Sequence, residues 1–206
     1  MKKTIITLGF ILLSIATCLA QDKEEILICK QDSITEKYHG FFNSKGEMVI
    51  SGDMFQFIYS DKIDKIGFVI FKEGPEGIQA INRKAEPLFE VFCFDNGPDY
   101  VREGLFRIIV DGKMGFANMD GEIVIEPQFD FVHPFQECGY AVFNIGGKKV
   151  RTNPRENWWT WKGGKWGLVN KKGEIVIPPT YDRGAPAGFI IDGNRVPIEE
   201  ILHLEK

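Results

Sequence analysis

From residue 39 to residue 190, short runs of β-branched and aromatic residues alternate with clusters of Asn, Asp and Gly, the rhythm of short strands joined by tight turns. One phrase returns without a gap at residues 39–50, 114–125 and 166–177. Its third instance reads Trp166-Gly167-Leu168-Val169-Asn170-Lys171-Lys172-Gly173-Glu174-Ile175-Val176-Ile177. A weaker copy occupies residues 78–89, so the marker asparagines Asn43, Asn82, Asn118 and Asn170 stand 39, 36 and 52 residues apart. Repetition at such a period is the sequence sign of stacked supersecondary units.

Asn-x-x-Gly between apolar runs predicts a type I turn closed by a left-handed glycine, and the following Glu-(Ile/Met)-Val-Ile supplies residues suited to a strand. Asn43 with Gly46, Asn118 with Gly121 and Asn170 with Gly173 are therefore repeat-structural pairs. The copy at Ala85 lacks the glycine and carries Pro87, which predicts an irregular turn and an edge or bulged second strand. Third strands are expected at residues 67–71, 100–108 and 135–143, the last two ending at Asp111-Gly112 and Gly146-Gly147. After Pro186 the chain predicts a hairpin at Asp192-Gly193-Asn194 and a short capping helix from Ile198 to Leu204.

The combined pattern resembles the WG (KWG) repeat family. The last copy carries it most fully, through Lys165-Trp166-Gly167, Gly173-Glu174-Ile175-Val176-Ile177-Pro178-Pro179 and Tyr181-Asp182. In the other copies His39, Ile78 and Met114 stand in the tryptophan place, where packing is the expected role of His39. The resemblance implies an interaction module. A unit of this size cannot bury its own apolar face. The expected fold is thus all-β, about four three-stranded antiparallel units stacked like a solenoid, with a small propeller as the alternative. The units run roughly 39–74, 75–113, 114–164 and 165–206, behind a lead-in at 21–38.

Composition narrows the function classes. Lys2 and Lys3, an apolar run at residues 5–16 and Cys18-Leu19-Ala20 before Gln21 predict a signal peptide over residues 1–20, hence a periplasmic or secreted protein. A lipid anchor at Cys18 is the alternative processing. No later run reaches the ~20 apolar residues of a membrane span. Losing two lysines takes the formal charge from −4 to −6, which disfavours nucleic acid as a partner. Cys29, Cys93 and Cys138 are an odd set, expected as buried thiols with room for at most one disulfide.

Candidate chemistry is sparse. His39, His133 and His203 sit in no nucleophile or metal motif, and His133, before Pro134, is expected in an exposed loop. Asp95-Asn96-Gly97-Pro98-Asp99 gathers oxygen ligands, yet its composition is that of any turn. No cofactor, catalytic residue or metal site is expected, and a hydrolase or metal-dependent protein with a site assembled between repeat units is the alternative reading.

The long step between Asn118 and Asn170 is the informative departure. It is filled by residues 148–164, which hold Trp158, Trp159 and Trp161 among Arg151, Arg155 and Lys162. Insertions in repeat arrays map to loops of one face, and Trp and Arg dominate binding hot spots. These six residues are the binding candidates, for a protein, peptide or glycan. The competing expectation is that Trp159 and Trp161 fold back onto the core.

Overall fold

A computed structural model describes residues 25–152 and 159–204, and over these the chain is all-β with one short helix. Its strands are β1 (Leu27–Gln31), β2 (Tyr38–Phe42), β3 (Met48–Ser51), β4 (Phe55–Ile58), β5 (Lys62–Ile63) and β6 (Gly67–Phe71). Then come β7 (Ile78–Ile81), β8 (Pro87–Val91), β9 (Cys93–Phe94), β10 (Gly97–Pro98), β11 (Leu105–Val110), β12 (Lys113–Asn118) and β13 (Ile123–Phe129). The last third holds β14 (Phe131–Val132), β15 (Tyr140–Arg151), β16 (Trp159–Asn170), β17 (Ile175–Tyr181), β18 (Gly184–Ala185), β19 (Gly188–Ile191), β20 (Asn194–Pro197) and α1 (Ile198–Leu204).

The pairings are antiparallel and no sheet closes on itself. The orders are β3-β2-β1-β5, β13-β12-β11-β8-β7-β6-β4, β14-β15-β16-β17 and β18-β19-β20, with β9 and β10 as a small ribbon. A three-stranded meander recurs as β1-β2-β3, β6-β7-β8, β11-β12-β13 and β15-β16-β17. The third strand of each sequence unit pairs with the hairpin that follows it: β6 with β7, β11 with β12 and β15 with β16. Within the seven-stranded sheet, β8 and β11 join two meanders through Val91 with Ile108 and Glu90 with Ile109.

The four turns share one hydrogen-bond set. At Asn170 the side-chain Oδ1 accepts from Lys172 N at 2.9 Å and Glu174 N at 3.0 Å, while Nδ2 donates to Glu174 Oε2 at 2.6 Å. Asn43, Asn82 and Asn118 repeat these three bonds with their own neighbours. The expectation of an irregular turn at Ala85 is overturned. Ala85 takes the left-handed place at φ 63° and its N–H donates to Asn82 O at 3.0 Å, as Gly173 N does to Asn170 O. The asparagine's bonds outweigh the roughly 1–2 kcal/mol that this conformation costs an alanine, and Ala85 joins the N-terminal core.

β8 is a central strand rather than an edge, and Pro87 is accommodated as its first residue beside a bulge. The bulge is general. Ladders skip Val49, Leu88, Val124 and Val176, each the middle residue of the run after the turn. A second irregularity explains the glycine of Trp-Gly. Trp166 pairs Tyr181 and Leu168 pairs Ile177, so residues 178–180 arch over Gly167. A Cβ there would lie 2.6 Å from Ile177 O and 2.7 Å from the Phe143 ring. Only glycine lets the strands approach so closely.

The tryptophan position is buried where Ile78, Met114 and Trp166 hold it. His39 departs from this expectation. The β1–β2 register jumps from Lys30 with Gly40 to Gln31 with Tyr38, so His39 is skipped and exposed while Tyr38 packs on the core. At the C-terminus the expected hairpin and helix form, with Ile198 and Ile201 buried beside Phe189 and Phe135. Cys29, Cys93 and Cys138 are unpaired. Cys93 is exposed, contrary to expectation, because the β9–β10 ribbon stands off the core; burial pushes the thiols of Cys29 and Cys138 above their ordinary range.

Candidate functional site

The insertion between the last two repeats extends their hairpin. β15 and β16 pair from Tyr140 with Asn170 out to Arg151 with Trp159. Gly146-Gly147 was expected to end the third strand, but β15 runs through it. Gly146 and Gly164 face each other across the ladder at φ 81° and 69°, leaving Ile145 with Lys165 on one side and Gly147 with Gly163 on the other. Paired left-handed residues bend a hairpin without ending it.

Asn144, fully buried, holds the bend. Its Oδ1 accepts from Gly147 N at 2.9 Å and from the indole Nε1 of Trp161 at 2.8 Å, and its Nδ2 donates to Gly163 O at 3.1 Å. From the outside Asp130 accepts from Gly146 N and from Lys113 Nζ. Burial opposes ionisation of Asp130, yet these two bonds outweigh it and hold its carboxyl below the usual range. The Lys113–Asp130 pair has a counterpart in Lys165–Asp182 at 2.6 Å, so the Lys of Lys-Trp-Gly and the Asp after the final aromatic residue meet across the hairpin base.

Past the bend, Trp159 and Trp161 share one face of β16, as alternate strand residues must. Both turn back over β14. Trp161 stacks on Phe131, with centroids 5.1 Å apart and planes at 23°, while Trp159 meets Phe131 and Phe92 edge-on at 5.8 and 6.2 Å. His133, on the same side of the chain as Phe131, stacks on Trp166 at 5.6 Å and 17°. His133 was expected exposed in a loop. Instead it is partly buried, because Phe131 and Val132 pair with β15 and carry the ring inward. Burial first, then the nearby Arg107 charge, pushes its pKa down to about 3, so the imidazole is neutral at physiological pH.

These rings surround a cavity of about 470 Å³ also lined by Phe94, Asp99, Tyr100, Arg102, Arg107, Thr160, Gly184 and two prolines. Arg107 is 3% and Asp99 4% exposed. Arg107 Nε donates to Asp99 Oδ2 at 2.8 Å, its Nη2 to Oδ1 at 2.5 Å, and its Nη1 to Val132 O at 3.2 Å. The guanidinium lies over the Phe92 ring, 4.2 Å from its centroid. A buried pair so bonded orders its surroundings more than it stabilises them.

Of the six candidate binding residues, Trp159 and Trp161 line the cavity. Arg151 and Lys162 are exposed on the hairpin's flanks outside it. Trp158 and Arg155 lie outside the described residues. The repeat's own Trp166 supplies a wall; Arg107, Phe131 and Asn144 were missed, and Asp99 and His133 were read as a turn and a loop residue, because each works through tertiary contact. One signal existed: two Gly-Gly pairs, Gly146-Gly147 just before the insertion and Gly163-Gly164 at its end. Asp95 and Asn96 form the β9–β10 turn while Asp99 faces Arg107, so this stretch gathers no ligand set. Among the described residues no three His, Cys, Asp or Glu side chains are placed to share a metal ion, and no helix is long and apolar enough to cross a membrane.

No curated protein and no solved structure matches the chain. The family model of the WG containing repeat matches residues 114–148 and 166–190, leaving out the distal hairpin that carries Trp159 and Trp161. These two stretches, in the bent-hairpin unit and in the one that follows it, are similar to the WG containing repeat.

Proposed function

We propose that the protein is a non-catalytic, exported binding module whose ligand seat is the aromatic cavity beneath the bent β15–β16 hairpin. The observation that carries this reading is the convergence of Trp159, Trp161 and Trp166 on one cavity of about 470 Å³, within the size range of small-ligand sites. Two of the walls come from an insertion that the repeat itself does not need. Residues 1–20 act as the export signal, and the recognised partner is a protein, peptide or glycan of the cell envelope.

We further read the array as four stacked units. Supporting this, a Cβ at Gly121 would touch Leu88 of the preceding copy at 3.2 Å, and one at Gly173 would touch Ile125 at 3.5 Å. The turns at Gly121 and Gly173 thus rest on the copy before them.

The test compares the mature chain with its Trp159→Ala variant in binding fractionated cell-envelope extract. Trp159 is only partly buried, so the variant is expected to keep its fold with a fall in melting temperature of a few degrees, on the order of 2 kcal/mol. Ligand retention should drop at least tenfold. Equal retention by both proteins overturns the cavity as the seat.

A further inference from the structure

Resting on that reading, we infer that the cavity takes an aryl carboxylate, its acid group held by Arg107 and its ring set among the indoles of Trp159, Trp161 and Trp166. A guanidinium has five N–H donors. Arg107 spends Nε and one Nη2 hydrogen on Asp99 and one Nη1 hydrogen on Val132 O. One N–H on each terminal nitrogen is left with no acceptor among the described residues, although the side chain is 4% exposed and lines the cavity. These two remaining donors can each be given to an oxygen of a carboxylate.

The charges agree. Asp99 neutralises Arg107, and the further cations nearby are Arg102 at the exposed rim and Lys149, whose Nζ lies 4.6 Å over the Trp159 ring. Both offset an incoming anion and oppose a cationic ligand, which would also find Asp99 already engaged. The walls select the rest of the ligand. Aromatic rings take edge and offset contacts from another flat ring. A sugar acid would instead bring several hydroxyls to a wall where Thr160, Tyr100, His133 and the indole N–H groups of Trp159 and Trp166 are the other hydrogen-bonding groups, too few to pair them all. Neutral His133 offers one donor and one acceptor, and no second charge.

An aryl carboxylate arises either as a free aromatic acid or as the C-terminal aromatic residue of a polypeptide. Calorimetry on the mature chain distinguishes them with phenylacetate, phenylacetamide, a pentapeptide ending in Phe with a free carboxylate, its C-terminal amide, and glucuronate. Each acid should bind at least tenfold tighter than its amide, and the wild-type protein alone answers this. The Arg102→Gln variant should weaken the acids severalfold and leave the amides unchanged. Tighter binding of the peptide than of phenylacetate assigns a polypeptide terminus; the reverse assigns a free acid. Equal binding of acids and amides, tighter binding of glucuronate, or no binding by any probe overturns the inference. The cavity as ligand seat then still stands on the Trp159→Ala retention result, which fails separately.

Discussion

At single positions the repeat separates residues demanded by backbone geometry from residues demanded by neighbours. Gly46 has φ +80° and open space around its missing Cβ, whereas at Gly121, φ +84°, a Cβ would lie 2.8 Å from Ile66 Cγ2. Gly46→Ala should cost about 1 kcal/mol, the left-handed penalty alone, and Gly121→Ala should cost at least about 1 kcal/mol more by collision. Urea unfolding of the two variants measures the difference; equal losses refute the contact between units. His133 makes a second residue-scale prediction. Its folded pKa near 3 lies below the ordinary 6.5, so the unfolded chain takes up the proton first as pH falls. Stability present above pH 6.5 should decline toward pH 3, by about 1–2 kcal/mol between pH 7 and pH 5. His133→Gln should remove most of that decline, and an unchanged pH profile would contradict the buried neutral ring.

The element that departs from the repeat is the hairpin of β15 and β16, and its geometry depends on Asn144. Asn144→Val strands the Gly147 N–H, the Trp161 indole N–H and the Gly163 carbonyl together. The expected loss is about 3 kcal/mol, with a red-shifted tryptophan emission as Trp161 leaves Phe131. Unshifted emission would mean that packing on Phe131 alone sets the bend. Turns and strands of the hairpins were legible in the sequence because Asn170 and Gly173 act within a five-residue window, and so was the return of Trp159 and Trp161 onto the body of the protein. Ala85 was misread because a missing glycine weighs less than the three bonds its asparagine makes. Gly146-Gly147 was misread because the same dipeptide ends a strand or bends it, depending on what faces it, and Gly163-Gly164 faces it here.

Across the whole molecule, fold class and repeat identity followed from pattern, but the site did not. Asp99 and Arg107 are ordinary turn and strand residues until β11 brings the guanidinium beneath Phe92 and beside Val132 O. No local spacing encodes that meeting. The same holds for His39, whose place in the repeat suggested burial and whose β1 partner skips it.

The bend at Gly146 and Gly164 also separates two kinds of constraint on the chain. On the near side, β15 and β16 are tied to β14 and β17 and to the core beneath them. On the far side, among the described residues, they pair only with each other. The outer arm can therefore be lengthened, shortened or recomposed while the inner ladder keeps its own strand partners, provided Trp161 stays to bond Asn144. The arm beyond that pair of glycines is therefore the natural place to graft a different binding surface.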